Sequence, residues 1–228
     1  MIPIDKFRIY RDNNYLYQTV RAYYSYDYYS KNSEYYDEAN TGFINILKND
    51  LNKLSERFLL KGAKERARMI VQEIIPFIMQ EEGLDECVCI SVPRSKKYST
   101  YFPNQLYMID AISEANQSIE NVEDGARVII RHSNTRTNHL PEDMGRATVA
   151  RPIYKGEGAN DGPLPYPGIT KDTCNIDKSK IFGKAVVLID DIYTPECYVD
   201  EDCIQAMYDM GASRVIFYAF GKTKKGVW

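Results

Sequence analysis

The 228-residue sequence predicts an α/β fold with a central, mostly parallel sheet flanked by helices. Three observations carry this. Val186 to Ile189 is a run of four apolar residues without alternation, the pattern of a strand covered on both faces. It ends in the adjacent acids Asp190 and Asp191 and a turn. Asp200 to Met210 has helical spacing, with Val199, Cys203, Ala206, Met207 and Met210 on one side and Gly211 placed to stop the helix. Val215 to Phe220 supplies a further strand, which completes a βαβ unit. In open sheets of this kind ligands sit beyond the carboxyl ends of the strands, where the two acids fall.

A hydrophobic share of 44% and a charged share of 27% are those of an ordinary globular chain, and a single domain over residues 1–228 is expected. The net charge of -3 gives no support to a nucleic-acid partner. Met1 to Lys6 has no signal-peptide character, and no apolar run is long enough for a membrane span, so the expected location is cytoplasmic. The five cysteines, Cys87, Cys89, Cys174, Cys197 and Cys203, include no Cys-x-x-Cys pair; reduced thiols and no zinc are expected. Only two histidines, His132 and His139, are present, too few for a histidine-rich metal site.

The first 60 residues read as an accessory region and 61–228 as the α/β core. Nine tyrosines fall between Tyr15 and Tyr36; the stretch Asn14 to Tyr24 favours strand, and Asp27 to Ser33 reads as turn. These rings pack a small sheet or a dimer surface, or form a hood that stacks on a base. Thr41 to Arg57 and Ala63 to Gln80 read as two helices separated near Leu60-Lys61-Gly62, with Pro76 expected to kink or break the second. Lys61, Lys64, Arg66 and Arg68 read as a solvated face.

Glu86 to Val92 is the first core strand, and it runs into Pro93-Arg94-Ser95-Lys96-Lys97. A strand followed by hydroxyls and three cations suits a phosphate-rich ligand. Phe102-Pro103-Asn104-Gln105 opens a helix continued by Leu106, Ile109, Ala111 and Ile112. Ala126 to Arg131 reads as a second core strand. The stretch from His132 to about residue 180 has little periodicity and three prolines between Pro163 and Pro167; a loop this long is usually functional or disordered. Arg131, Arg136 and Arg146 are cations in or beside it, and His139 is a candidate proton-transfer group.

The run Val186-Val187-Leu188-Ile189-Asp190-Asp191-Ile192-Tyr193-Thr194 resembles the phosphoribosyl pyrophosphate (PRPP) motif of type I phosphoribosyltransferases, closest to the ComF-like, amidophosphoribosyltransferase-type branch. The resemblance implies a Rossmann-type core with a variable hood and a homodimer. It also implies a Mg2+ ion held with PRPP by Asp190 and Asp191, which contact the ribose hydroxyls, mainly through water or ligand oxygens. Ser91, Pro93, Arg94, Ser95 and Lys96 would hold pyrophosphate. A loop arginine, Arg131 or Arg136, would assist its departure. Thr194, Glu196, Cys197 and Tyr198 would stand at the 5'-phosphate loop. There the chain departs from the family, with Pro195-Glu196-Cys197-Tyr198 in place of Thr-Gly-Ala-Thr. Pro195 removes an N–H donor, and Glu196 brings a negative charge to where an anion would dock. Many ComF-like proteins begin with a zinc ribbon, which this chain lacks.

A Walker B strand and a receiver-domain strand also end in acids. The first needs Gly-x-x-x-x-Gly-Lys-Ser/Thr before a helix. Gly221-Lys222-Thr223 matches only the last three positions, and Ile216 stands at the first glycine. A receiver domain places its acids early in a shorter chain. Two functions remain. One is transfer of a phosphoribosyl group to or from a nitrogen nucleophile, from PRPP or a related ribose phosphate. The other is a non-catalytic nucleotide-binding sensor or regulator of the same fold.

Overall fold

A computed structural model describes residues 2–12, 15–29, 35, 37–49, 52, 56–133, 169, 173–195 and 197–224. Its centre is a six-stranded sheet with strand order β1-β2-β8-β7-β3-β4. The strands are β1 (Asp5–Ile9), β2 (Val20–Tyr28), β3 (Cys87–Ser91), β4 (Val122–Asp124), β7 (Ala185–Tyr193) and β8 (Arg214–Thr223). All neighbours run parallel except the edge pair β1 and β2. Among the described residues four α-helices cover it: α1 (Glu38–Lys48), α2 (Arg57–Glu82), α3 (Tyr107–Asn116) and α4 (Val199–Asp209). Among the described residues, no helix is long and apolar enough to cross a membrane.

Successive side chains of a strand point to opposite faces, and β7 shows what that does here. Val187 and Ile189 join Ile216, Tyr218 and Phe220 of β8 beneath α1, α2 and α3. Val186 and Leu188 join Val215, Phe217 and Ala219 beneath α4 on the other face. An unbroken apolar run is what two covered faces require. The βαβ unit β7–α4–β8 is as the sequence predicts, and Gly211 closes α4 at a φ of 93°, a backbone state open to glycine without strain.

Several elements differ from the sequence reading. The break between the first two helices falls before Arg57 rather than near Gly62, and α2 runs on through Pro76 to Glu82. Pro76 lies on the exposed face of α2, so water can meet the carbonyl left without its N–H partner. Asp37 caps α1 by accepting from Asn40 N–H at 3.1 Å, which starts that helix before Thr41. Asp27 and Tyr28, expected in a turn, complete β2. The tyrosine-rich start does not stand apart from the core: β2 pairs directly with β8, and Tyr23 and Tyr24 are buried.

The expected second core strand is also displaced. Ile129–Arg131 forms β5, which pairs antiparallel with β6 (Cys174–Ile176) in a separate two-stranded sheet. The sixth strand of the central sheet is instead the short β4, beside β3. Cys174–Ile176 lies in the stretch whose sequence reads as a long loop. All five cysteines are free thiols.

Candidate functional site

The parallel strands end together on one side of the sheet, and the two acids lie there. β7 continues two residues beyond them to Tyr193, so Asp190 and Asp191 lie within the strand ladder near its end rather than at a strand-ending turn. Successive strand residues face opposite ways, and the partners divide accordingly. Asp191 Oδ2 lies 3.5 Å from the Lys48 ammonium at the end of α1. Asp190 hydrogen-bonds to the carboxyl of Asp200 in the first turn of α4. That bond places one proton between two carboxyl groups. Asp190 keeps part of its surface open, yet the protein packed around its carboxyl, with the charge of Asp191, pushes its pKa up to about 7.

The loop after β3 is sewn to the same strand, with Val92 N–H donating to the Ile189 carbonyl at 2.9 Å. Arg94 is spent on architecture. Its Nη2 donates to the Lys48 carbonyl at 2.6 Å, its Nη1 donates to the Gln105 carbonyl, and its guanidinium lies 4.7 Å from the centre of the Tyr101 ring. Arg131 in turn donates through Nε to the Arg94 carbonyl at 2.7 Å. The crevice behind this loop measures about 10 Å3, the size of a single water. Ser91, Pro93 and Arg131 are buried around it, Ser95 is half-buried, and Lys96 is exposed with its N–H donating to Tyr101 Oη at 2.9 Å. Arg94 thus holds three chain segments together, whereas the sequence suggested a hand for pyrophosphate.

The third wall is the start of α4. Asp200, Glu201 and Asp202 are 4%, 5% and 1% exposed, although they open a helix that would ordinarily show them to water. Asp202 Oδ2 accepts from Ile169 N–H at 2.7 Å. Glu201 accepts from Tyr193 Oη at 2.9 Å and from its own N–H. Burial pushes its pKa up to about 7, while those two donors pull the other way. Burial, then the charge of Asp190, raises Asp200 well above the usual carboxylate range. Tyr198 precedes the helix in the left-handed region at φ 60°, and Tyr15 stacks on its ring at 4.9 Å between centroids.

In the 194–198 turn, Thr194 Oγ1 pairs with Thr223 Oγ1 at 2.9 Å, and Cys197 N–H donates to the Thr194 carbonyl at 3.3 Å. Pro195 has no N–H to offer. Beyond Tyr193 and Pro195 a broad groove of about 810 Å3 runs along β1, with Lys6, Arg8, Arg21 and Lys222 on its walls. Lys222 lies 5.3 Å from the centre of the Phe7 ring.

Of the residues selected from sequence, Asp190, Asp191, Ser91, Pro93, Arg94, Ser95, Lys96, Arg131, Thr194, Cys197 and Tyr198 gather around the ends of β3 and β7. Arg136 and Glu196, with His139 and Arg146, lie outside the described residues. Lys48 escaped the sequence reading, because a lysine at a helix C-terminus ordinarily serves the helix dipole. Acids such as Asp200 and Glu201 in a helix's first turn ordinarily serve the helix dipole in water; their burial against Asp190 and Tyr193 depends on the fold.

Among the described residues, no three His, Cys, Asp or Glu side chains cluster closely enough to hold a metal ion by themselves. Asp190 and Asp191 suit a different mode. Mg2+ keeps several waters and takes one or two carboxylates together with phosphate oxygens of its substrate. Two adjacent carboxyl groups at a strand end fit an ion that arrives with its ligand. Compared with known proteins, the chain matches no family model and no curated sequence.

Proposed function

We propose that the chain binds an activated ribose, PRPP or a related ribose phosphate, together with Mg2+, and transfers the ribosyl group to a nitrogen nucleophile. The observation that carries this reading is the Asp190–Asp191 pair at the carboxyl end of the central strand, between Lys48 and the loop that follows β3. Carboxylates at a strand end accept hydrogen bonds from hydroxyls, which is the chemistry a ribose presents. Mg2+, held through Asp190 and Asp191 with the ligand's own oxygens, would offset the charge of the leaving phosphate.

In the transfer, the C1–O bond to the leaving group breaks and its electron pair departs with the phosphate oxygen. A C1–N bond forms from the nucleophile's lone pair, and the nitrogen gives up a proton. The protein's part is positioning and charge. Asp190 and Asp191 stabilise the positive charge that grows on the ribose, and the nitrogen's proton passes to solvent.

A second reading, a binding protein without turnover, is favoured by the commitment of Arg94 to backbone carbonyls. Thermal unfolding with Mg2+ plus PRPP or ribose 1-phosphate tests the shared binding step. A ligand at about 100 times its Kd stabilises a fold by about 2.7 kcal/mol, a clear rise in Tm. No rise with either ligand at millimolar concentration would remove both readings. Phosphorus NMR of the same mixtures with ammonia as nucleophile separates them, since only the transferase releases free phosphate or pyrophosphate.

A further inference from the structure

We infer that the free edge of β1 is a docking surface whose occupant is an acidic segment of a partner protein, added to the sheet as an extended strand. The inference does not depend on the ribose-binding reading.

β1 pairs with β2 and has no neighbour on its other side. An edge strand turns the N–H and C=O of alternate residues outward, a template for one more strand. Among the described residues, no backbone group of Asp5–Ile9 bonds outside the β1–β2 pair. The groove of about 810 Å3 that follows this edge is within the size range of binding sites. Its walls take residues from both faces of β1, Lys6 and Arg8 from one and Phe7 from the other. An added strand fills such a groove, because it too sends side chains to both faces.

The side chains of β1 select the strand by charge. Arg8 is exposed, stands opposite Arg21 in the register, and forms no ion pair among the described residues. Like charges directly opposite are unfavourable. Arg21 has the buried Glu82 as its partner. Lys6 pairs with Glu81, but both side chains are more than a third exposed, so that pair contributes little and exchanges readily. One carboxylate opposite Lys6 and another opposite Arg8 would meet both cations on the same face. The residue between them would lie beside the half-buried Phe7, which suits an apolar side chain. Asp5 stands on the Phe7 face, away from those carboxylates. The matching strand therefore alternates acid, apolar, acid.

A second copy of this chain fits poorly. Twofold pairing of β1 with itself keeps each residue on its own face. With the axis at Phe7, Lys6 of one copy faces Arg8 of the other; with the axis at Lys6 or Arg8, that residue faces itself. Each arrangement sets a cation against a cation.

Calorimetric titration of the full chain with the peptide acetyl-Glu-Val-Glu-Val-Glu-amide tests this. The comparators are the Lys-Val-Lys-Val-Lys counterpart and the acidic peptide N-methylated at every residue, which cannot donate to a strand. Wild type is expected to bind the acidic peptide saturably, and at least about tenfold more tightly than either comparator. Arg8→Glu, a change on an exposed side chain, is expected to weaken the acidic peptide about tenfold and to strengthen the basic one. No saturable binding of the acidic peptide at millimolar concentration, or unchanged affinity in Arg8→Glu, would overturn the inference. Binding that ignores N-methylation would overturn it too, since attraction between charges needs no backbone pairing. Sedimentation of wild type alone is expected to show no association through β1. A dimer whose stability changes with Arg8→Glu would give the edge to a second copy and overturn the inference.

Discussion

Lys48 and Asp191 face each other at 3.5 Å across the gap between α1 and the central strand. The backbone carbonyl of the same lysine accepts from Arg94. One residue at the end of a helix thereby joins the acidic strand to the basic loop, and both walls of the site depend on where α1 stops.

The Lys48 ammonium is about one-third exposed, so its pairing with Asp191 is screened by solvent. Such pairs contribute about 0.2–1 kcal/mol. Lys48→Ala is expected to lower stability by less than about 1 kcal/mol, and the loss should shrink as salt is raised. Urea denaturation at low and high ionic strength measures both. A larger loss that ignores salt would mean that the side chain packs rather than pairs.

Arg94 donates charge-assisted hydrogen bonds to two carbonyls on separate segments. Each such bond contributes about 1.5–3 kcal/mol. Arg94→Ala should therefore cost more than about 2 kcal/mol in urea denaturation. Unaltered stability would return Arg94 to the ligand-binding role suggested by the sequence.

This arginine also shows where sequence reading stopped. The β7–α4–β8 unit was legible because its signals are local: an apolar run, a helical stripe and a glycine beyond it. The acids were legible for the same reason, since they end that run. The work of Arg94 was not, because Pro93 to Lys97 looks equally basic whether its cations face a ligand or a carbonyl. The central sheet's edge at β4 was missed in favour of Ala126 to Arg131, since Val122–Asp124 is only three residues long, with no apolar alternation to mark it. Burial of Asp200 and Glu201 was hidden for a similar reason. Acids in a helix's first turn normally face water, and only the cover supplied by Tyr15, Ile169 and β7 reverses that.

Glu201 makes stability depend on pH in a direction opposite to that of most acids. Its pKa rises from 4.5 to about 7 on folding, chiefly through burial. The folded state therefore holds its proton more tightly than the unfolded state between those values. Its contribution is fully present below about 4.5, falls as pH rises toward about 7, and is flat above. Glu201→Gln keeps an acceptor for Tyr193 and removes the titration. It should leave stability nearly unchanged at acidic pH and raise it by about 1–3 kcal/mol at mildly alkaline pH, where a buried, unpaired charge is relieved. Denaturation across that pH range reads the result; a constant difference at every pH would contradict it.

At the opposite end of the sheet, the Glu82 side chain is fully buried and accepts from Arg21 at 3.0 Å, from Arg214 and from Tyr23. These contacts tie α2 to the starts of β2 and β8. Glu82→Ala should cost about 1–3 kcal/mol, because it leaves the buried Tyr23 hydroxyl without its acceptor while the two arginines can turn to water. Ribose-ligand affinity should be unaffected, because the change lies at the far ends of the strands. Loss of binding in a variant that remains folded would place Glu82 in the site.

The most direct test of the central claim is calorimetry with ribose 1-phosphate and Mg2+ on wild type and on Asp190→Asn plus Asp191→Asn. The account predicts saturable one-site binding by wild type and its loss in the double variant, with circular dichroism showing both proteins folded. Equal binding by the two proteins would contradict the assignment of the ribose site to the end of β7.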